Sequence, residues 1–515
     1  MRPPNLHNII PTRCFRPGMI GRTPFRPFIA PLRHGMPAPT VQVSQPRIPS
    51  PVARPRGDRH PGHARGEPWA LAAVLFAAYT VVSVGRYRHM ATLSWDLGIF
   101  EQVVRSYAQL RAPVADLKGP GFDILGDHFS PVTALLAPVY RLFPSPVTLL
   151  VAQAALFALS AVPVTRAASR LLGRRQGLAL GLAYGLSWGV QRAVDFDFHE
   201  ICFAVPLIAF SLEALLARRP RAALGWALPL VLVKEDLGLT LTAIALVVAW
   251  RTRGSSPRTV RYALGAAVFG VAATVLVLTV VVPAFNTSGG YDYWNKVSAA
   301  GSPFDGAGSK LRTLAWLLIP TSGLLALRSP LLLVALPTLG WRFLSGDEHY
   351  WGTDWHYSAV LMPVVFLALA DALPAVRRAA RAWLRSYAAH LPAAVAAAAL
   401  ALTTSLPLAR LTEAEVYRTP AAVSDVERLL ARIPDDATVE ANIGPISRLT
   451  ARCRVFWLGD TRGVLPEYIA LENIDGRYRD LVGYARTLHP LAEYAVAGEA
   501  AGYVVLERRT ATAGV

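Results

Sequence analysis

The sequence predicts a mainly α-helical protein, a polytopic transmembrane bundle of about eleven spans with a small α/β domain at its C-terminal end. Three observations predict it. Apolar runs of roughly twenty residues recur through the middle of the chain, and each is long enough to cross ~30 Å of hydrocarbon as a helix. Of the 515 residues 53% are hydrophobic and only 17% charged, so a water-soluble fold would expose extensive apolar surface and aggregate. Arginines gather in short stretches between the apolar runs, at 166–175, 218–221, 251–261 and 377–385, which is the positive-inside pattern of cytoplasmic loops.

Taken in order, residues 1–66 are rich in Pro and Arg and nearly free of acids, and read as a disordered basic cytoplasmic tail. They lack the apolar core of a signal peptide, and Met19 and Met36 leave a later start codon open. The membrane domain is expected over 67–409. Its first span falls at 68–87, followed by a long first outer loop, 88–145. Within that loop 129–143 is apolar but short and interrupted by Pro131 and Pro138, which suits an interfacial or re-entrant helix. Further spans are expected at 146–165, 176–192 and 200–217.

The stretch 221–251 is basic at both ends, so both ends belong on the cytoplasmic side. The chain must then turn at Val233-Lys234-Glu235-Asp236-Leu237-Gly238, below the membrane surface, where charges need a cavity or partners. Spans at 260–283, 311–327, 329–344, 357–374 and 388–408 complete the set. An odd number of crossings of a plasma membrane leaves the N-terminus cytoplasmic and the C-terminal segment, 410–515, extracytoplasmic. That segment alternates short helical and strand patterns: helices near 424–433 and 480–488, strands near 437–441, 455–458, 494–496 and 502–506.

The net charge of +18 does not indicate nucleic acid. About half of it lies in the first ~65 residues and the rest marks topology, with attraction to anionic lipid headgroups. Cys14, Cys202 and Cys453 are far apart and suggest neither a disulfide framework nor a zinc site.

The outward loops collect the unusual polar residues: Trp95-Asp96-Leu97-Gly98-Ile99-Phe100-Glu101-Gln102, then Gly126-Asp127-His128-Phe129-Ser130-Pro131, Asp195-Phe196-Asp197-Phe198-His199-Glu200, Lys234-Glu235-Asp236, and Asp354-Trp355-His356-Tyr357. Carboxylates among aromatics at a bilayer boundary suit a general base, because partial desolvation raises their pKa. With imidazoles they also suit a divalent cation, Mg or Mn, that offsets phosphate charge. Each motif has a plainer explanation. Asp96 would cap a helix beginning at Leu97, Asp127-His128 would form a cap and turn, and Lys234 would neutralise its neighbours. Tyr291, Tyr293 and Trp294 fit an interfacial aromatic belt.

WDLGIFEQ after the first span, followed by GDHFSP, DFHE, KED and an HY pair before a late span, resembles the membrane-protein family catalogued as domain of unknown function 2079, over roughly 70–505. That family is similar in turn to the GT-C superfamily of membrane glycosyltransferases. The resemblance implies a transferase that takes its sugar from a polyprenyl-phosphate donor at the outer face of the membrane. It places the essential carboxylate at Asp96, with Asp127 and His128 at the departing phosphate. Glu101, Arg86, Arg88, Asp197, His199, Glu235, Asp236 and His356 are then expected to bind substrate, while the metal question stays open between Asp96, Asp127 and His128. The other class that fits is a transporter or flippase for a lipid-linked or anionic small molecule.

Overall fold

The computed structural model describes residues 63–287, 290, 302 and 304–509. Residues 1–62 of the tail expected over 1–66 lie outside the described residues, and so do the loop aromatics Tyr291, Tyr293 and Trp294.

The chain is a helical bundle with one small sheet. Its first helices are α1 (His63–Arg88), α2 (Asp96–Ala108), α3 (Ala137–Leu142), α4 (Pro146–Leu172), α5 (Arg174–Gly185), α6 (Trp188–Asp195), α7 (Ile201–Leu216), α8 (Pro220–Ala227), α9 (Leu237–Thr252) and α10 (Pro257–Phe285). Among the described residues five helices have the length and apolarity to cross a membrane: Gly66–Arg88, Pro146–Leu172, Pro257–Phe285, His356–Val376 and Ala382–Thr403. Shorter apolar helices at Ile201–Leu216, Pro220–Leu232, Leu237–Thr252 and Pro330–Leu344 pack among them.

One local feature departs from plain hydropathy and another matches it. The single span expected at 176–192 is broken between α5 and α6. The carbonyls freed at the break are satisfied from within the protein, since the Tyr79 hydroxyl donates to Gly185 O and Gln191 Nε2 donates to Leu186 O at 2.7 Å. The hairpin expected at 233–238 is present, with α8 running through a 3-10 turn (Leu228–Leu232) into Lys234-Glu235-Asp236 before α9. Gly238 lets α9 cross α10 closely: a Cβ there would meet Gly270 O at 2.4 Å.

The basic loops meet at one end of the bundle. Arg166, Arg170 and Arg219 converge on the buried Glu213, Arg174 pairs with Glu67 near the start of α1, and Arg251 pairs with Asp371. At the other end of α1, Arg448 of the C-terminal segment lies 3.8 Å over the Tyr87 ring.

The sheet has strands β1 (Thr438–Ala441), β2 (Arg454–Trp457), β3 (Tyr468–Glu472), β4 (Tyr494–Ala500) and β5 (Tyr503–Arg508) in the order β2-β1-β3-β5-β4. β1 runs parallel to β2 and β3, and β5 runs antiparallel to β3 and β4. Four strands fall close to their expected places, while β3 and the helix Ile443–Leu449 are additions that the sequence pattern does not predict. In β3 Ile469, Ala470 and Leu471 are all buried, so no alternation marks it.

α2 belongs to two hydrophobic cores at once. Leu97, Phe100 and Val104 pack into the helical bundle. Ile99 and Val103, with Ala115, Leu117 and Ile124 of the first loop, pack into the core of the sheet beside Val439, Val455 and Val505. Gly98 permits the approach, because a Cβ there would meet Ile446 Cγ2 at 2.3 Å. The first loop and the C-terminal sheet are therefore one packed layer, and whatever α2 carries is held from both sides.

Candidate functional site

Asp96 opens α2. The helix starts at Asp96 itself, with Trp95 in the cap position and no side-chain capping bond, so the Asp96 carboxylate is not consumed as a cap. Its backbone N–H donates to Ser94 Oγ at 3.2 Å. Ser94 is in turn fixed by Asp197, whose Oδ2 accepts from Leu93 N (3.1 Å), Ser94 N (2.9 Å) and Ser94 Oγ (3.2 Å). Burial pushes Asp197 up to about 7, against the opposing pull of Arg86 and the Ser94 donors. Asp197 thus anchors the turn that presents Asp96.

Beside this turn a polar network threads through four separate segments. Lys118 Nζ contacts Asp127 Oδ2 at 2.9 Å, and Asp127 Oδ2 lies 3.4 Å from His128 Nε2. His128 Nδ1 is 3.2 Å from Lys234 Nζ, which also reaches Glu200 Oε1 (3.2 Å) and Glu235 Oε1 (3.3 Å). Glu200 Oε2 pairs with His199 Nδ1 at 2.7 Å. The network ends on a ring stack, with His199 and His356 at 3.9 Å between centroids and Phe196 at 4.4 Å from His356. Neither ring nitrogen of the buried His356 has a hydrogen-bond partner among the described residues.

The protonation states follow from this geometry. An ammonium only donates, so His128 Nδ1 accepts from Lys234 and its proton sits on Nε2, facing Asp127. Burial and the Lys234 charge hold His128 below its ordinary range, so the ring is neutral at pH 7. Burial alone would raise Asp127, but Lys118, His128 and Lys234 keep it at about 2. The network is thus a buried row of fixed charges and neutral donors, in which electrostatic contacts are strengthened.

Of the residues expected from the sequence, Asp127, His128, His199, Glu235 and His356 come together, Asp236 adjoins them, and Asp96 and Asp197 stand alongside. Arg86 is buried and committed to Asp195 (3.1 Å), an aspartate that also holds Arg410 at 2.6 Å, and Arg88 is exposed at the end of α1. Glu101 lies apart. It is fully buried where α2 meets the sheet, accepting from the Tyr140 hydroxyl at 2.9 Å and from the Thr450 hydroxyl.

Burial pushes Glu101 up to about 7 from 4.5, even with the Thr450 and Tyr140 donors. The folded protein therefore holds this proton more tightly than the unfolded chain. The resulting stabilisation is complete below about pH 4.5 and is lost as pH rises through about 7. Glu101→Gln is expected to flatten the thermal midpoint between pH 5 and 8 and to exceed the wild-type midpoint above pH 7, checked by thermal unfolding of both proteins across that range.

Two contributors, Lys118 and Arg342, are not evident from sequence motifs, and Glu200, which lies in the DFHE motif but is not among the expected site residues, completes the network with Lys118. Arg342, buried, donates to Tyr350 O (2.8 Å), Gly352 O (2.8 Å) and Ser358 Oγ (3.1 Å), and so ties down the loop that delivers His356. A signal for the lysines is nonetheless present. The chain has 52 lysines and arginines, of which only Lys118, Lys234, Lys296 and Lys310 are lysines, and two of these lie in the network.

Of the residues expected at a divalent cation, Asp96, Asp127 and His128, the last two are already engaged by Lys118 and Lys234. The carboxylates of Asp127, Glu200 and Glu235 already face the ammonium groups of Lys118 and Lys234. Among the described residues no three His, Cys, Asp or Glu side chains converge as a metal-holding group.

Two solved structures align along most of the chain. ArnT from Cupriavidus metallidurans bound to undecaprenyl phosphate superposes with a TM-score of 0.54 at 16% identity, covering 85% of this chain and 98% of ArnT. Its apo state gives 0.52 at 15% identity, covering 86% and 98%. The likeness is one of fold. No curated protein matches the chain. The family model described as "Predicted membrane protein (DUF2079)" matches residues 86–462, and the chain belongs to that family.

Proposed function

We propose that this protein transfers a sugar from a polyprenyl-phosphate donor to an acceptor hydroxyl at the outer face of the cytoplasmic membrane. The observation that carries the reading is the Asp96 carboxylate at the first turn of α2, which among the described residues makes no capping bond and is held beside a buried Lys–His–carboxylate network. ArnT, which shares the fold, binds undecaprenyl phosphate, and this supports a polyprenyl-phosphate donor here.

In this reading Asp96 accepts the proton of the acceptor hydroxyl as its oxygen attacks the anomeric carbon. The bond from that carbon to the phosphate oxygen breaks, and its electron pair leaves with the polyprenyl phosphate. Lys118 and Lys234 offset the charge on the leaving phosphate, the task that a divalent cation performs elsewhere. His356, whose ring nitrogens have no partner among the described residues, donates an N–H to a phosphate oxygen, while His128 holds Lys234 and Asp127 in place. Arg86 is assigned to holding Asp195 and the end of α1, and Glu101 to the junction with the sheet.

The test is a proteoliposome assay with a radiolabelled polyprenyl-phosphate sugar and a mixture of envelope acceptors. Transfer predicts loss of label from the lipid with release of polyprenyl phosphate. A transporter or flippase would move the lipid-linked sugar across the bilayer with its phosphate–sugar bond intact, and that result would displace the transferase reading.

A further inference from the structure

We infer that Trp457 of the C-terminal sheet and Trp95 of the first loop together form a carbohydrate-binding subsite on the acceptor side of Asp96, a proposal that rests on the transferase reading and names its acceptor class. Trp95 immediately precedes Asp96 at the start of α2. Its ring meets Trp457 edge-to-face, with centroids 4.5 Å apart and planes at 66°. Both residues are partly exposed, with the rest of each packed against the core of the sheet. Lys118 Nζ lies 5.6 Å from the Trp95 ring centre and 2.9 Å from Asp127, so the aromatic pair borders directly on the charged network.

The placement of Trp457 is informative. It is the only tryptophan after residue 410 and ends β2, at the carboxyl edge of the parallel strands. In α/β sheets that edge is where ligands are bound. Here it is turned onto the amino end of α2 by the shared core and by fixed polar ties. Gln102 Nε2 donates to Val455 O at 2.8 Å, Arg454 grips Asp116 with two bonds of 2.9 Å, and Arg462 donates to Lys118 O at 3.0 Å. The C-terminal sheet is therefore built into the wall of the site.

Two partly exposed tryptophans beside a general base suit a pyranose. The C–H face of a sugar ring is apolar and carries partial positive charge, which matches the negative face of an indole, while its hydroxyls remain free for polar neighbours. If the pair served only to pack the sheet against the loop, another aromatic of similar size would do as well, and neither ring would matter to a soluble glycan.

The test uses full-length protein in detergent without donor, titrated with mannotetraose, cellotetraose and maltotetraose, with intrinsic tryptophan fluorescence and calorimetry as readouts. At least one tetrasaccharide is expected to bind the wild type. Trp457→Ala should weaken that binding by about tenfold or more, with Trp457→Phe intermediate, while both variants retain undecaprenyl-phosphate binding as proof of folding. In turnover with a responsive acceptor, the acceptor KM should rise more than kcat falls. Failure of all three sugars to bind the wild type, or equal binding by wild type and Trp457→Ala, overturns the subsite and leaves the transferase reading standing. Glycan binding that depends on Trp457 in a protein that never cleaves a polyprenyl-phosphate sugar overturns the transferase reading instead.

Discussion

Asp96→Asn is expected to lower sugar transfer by roughly 10²–10⁴-fold, the contribution of a positioned general base, while the protein stays folded and still binds polyprenyl phosphate. The expectation of a folded variant comes from the local structure. The Asp96 side chain caps nothing, so the amide leaves no backbone donor unsatisfied. The turn around it is held by Asp197 through Ser94, and α2 itself is held by two cores. Circular dichroism and the thermal midpoint should therefore match the wild type, whereas Asp197→Ala should loosen the 93–96 turn and lower both transfer and stability. Undiminished transfer by Asp96→Asn would remove Asp96 from the chemistry and move attention to the histidine stack.

How far the sequence can be read depends on the kind of force involved. Hydropathy is a local property, so the five long apolar helices and the Lys234-Glu235-Asp236 turn are visible in it. The break between α5 and α6 is not, because Gly185 and Ser187 weaken an apolar helix without ending it, and the break is sustained by distant Tyr79 as well as by Gln191. The outward grouping of acids and histidines predicts that Asp127, His128, His199 and His356 meet. It does not separate them from Glu101 in the first loop or Arg86 at the end of the first span, which are committed to the sheet junction and to Asp195. Lys118 is hard to single out because a lone lysine in a loop has no periodicity; its rarity in an arginine-rich chain is the available clue. The alliance of α2 with the sheet joins residues more than 300 positions apart, as Gln102 with Val455, and no local pattern encodes it.

Lys234→Met should be the most destabilising single change in the network and should abolish polyprenyl-phosphate binding as well. Lys234 Nζ contacts Glu200 and Glu235, whose side chains are 0% and 3% exposed, and it donates to His128. Removing one member of a buried ion pair leaves an uncompensated charge, typically at a cost of about 3–5 kcal/mol, because the desolvation already incurred is no longer offset. A lower thermal midpoint alone would not separate structure from function, and the double variant Lys234→Met/Glu200→Gln does. It removes the orphaned Glu200 charge together with the ammonium, so much of the lost stability should return, measured as the thermal midpoint in the same detergent. If Lys234 also neutralises the phosphate, the stabilised double variant should still bind undecaprenyl phosphate at least about tenfold more weakly than wild type. Recovery of binding along with stability would show that Lys234 only balances the buried acids, and the charge on the leaving phosphate would then have to be met by Lys118 and His356 alone.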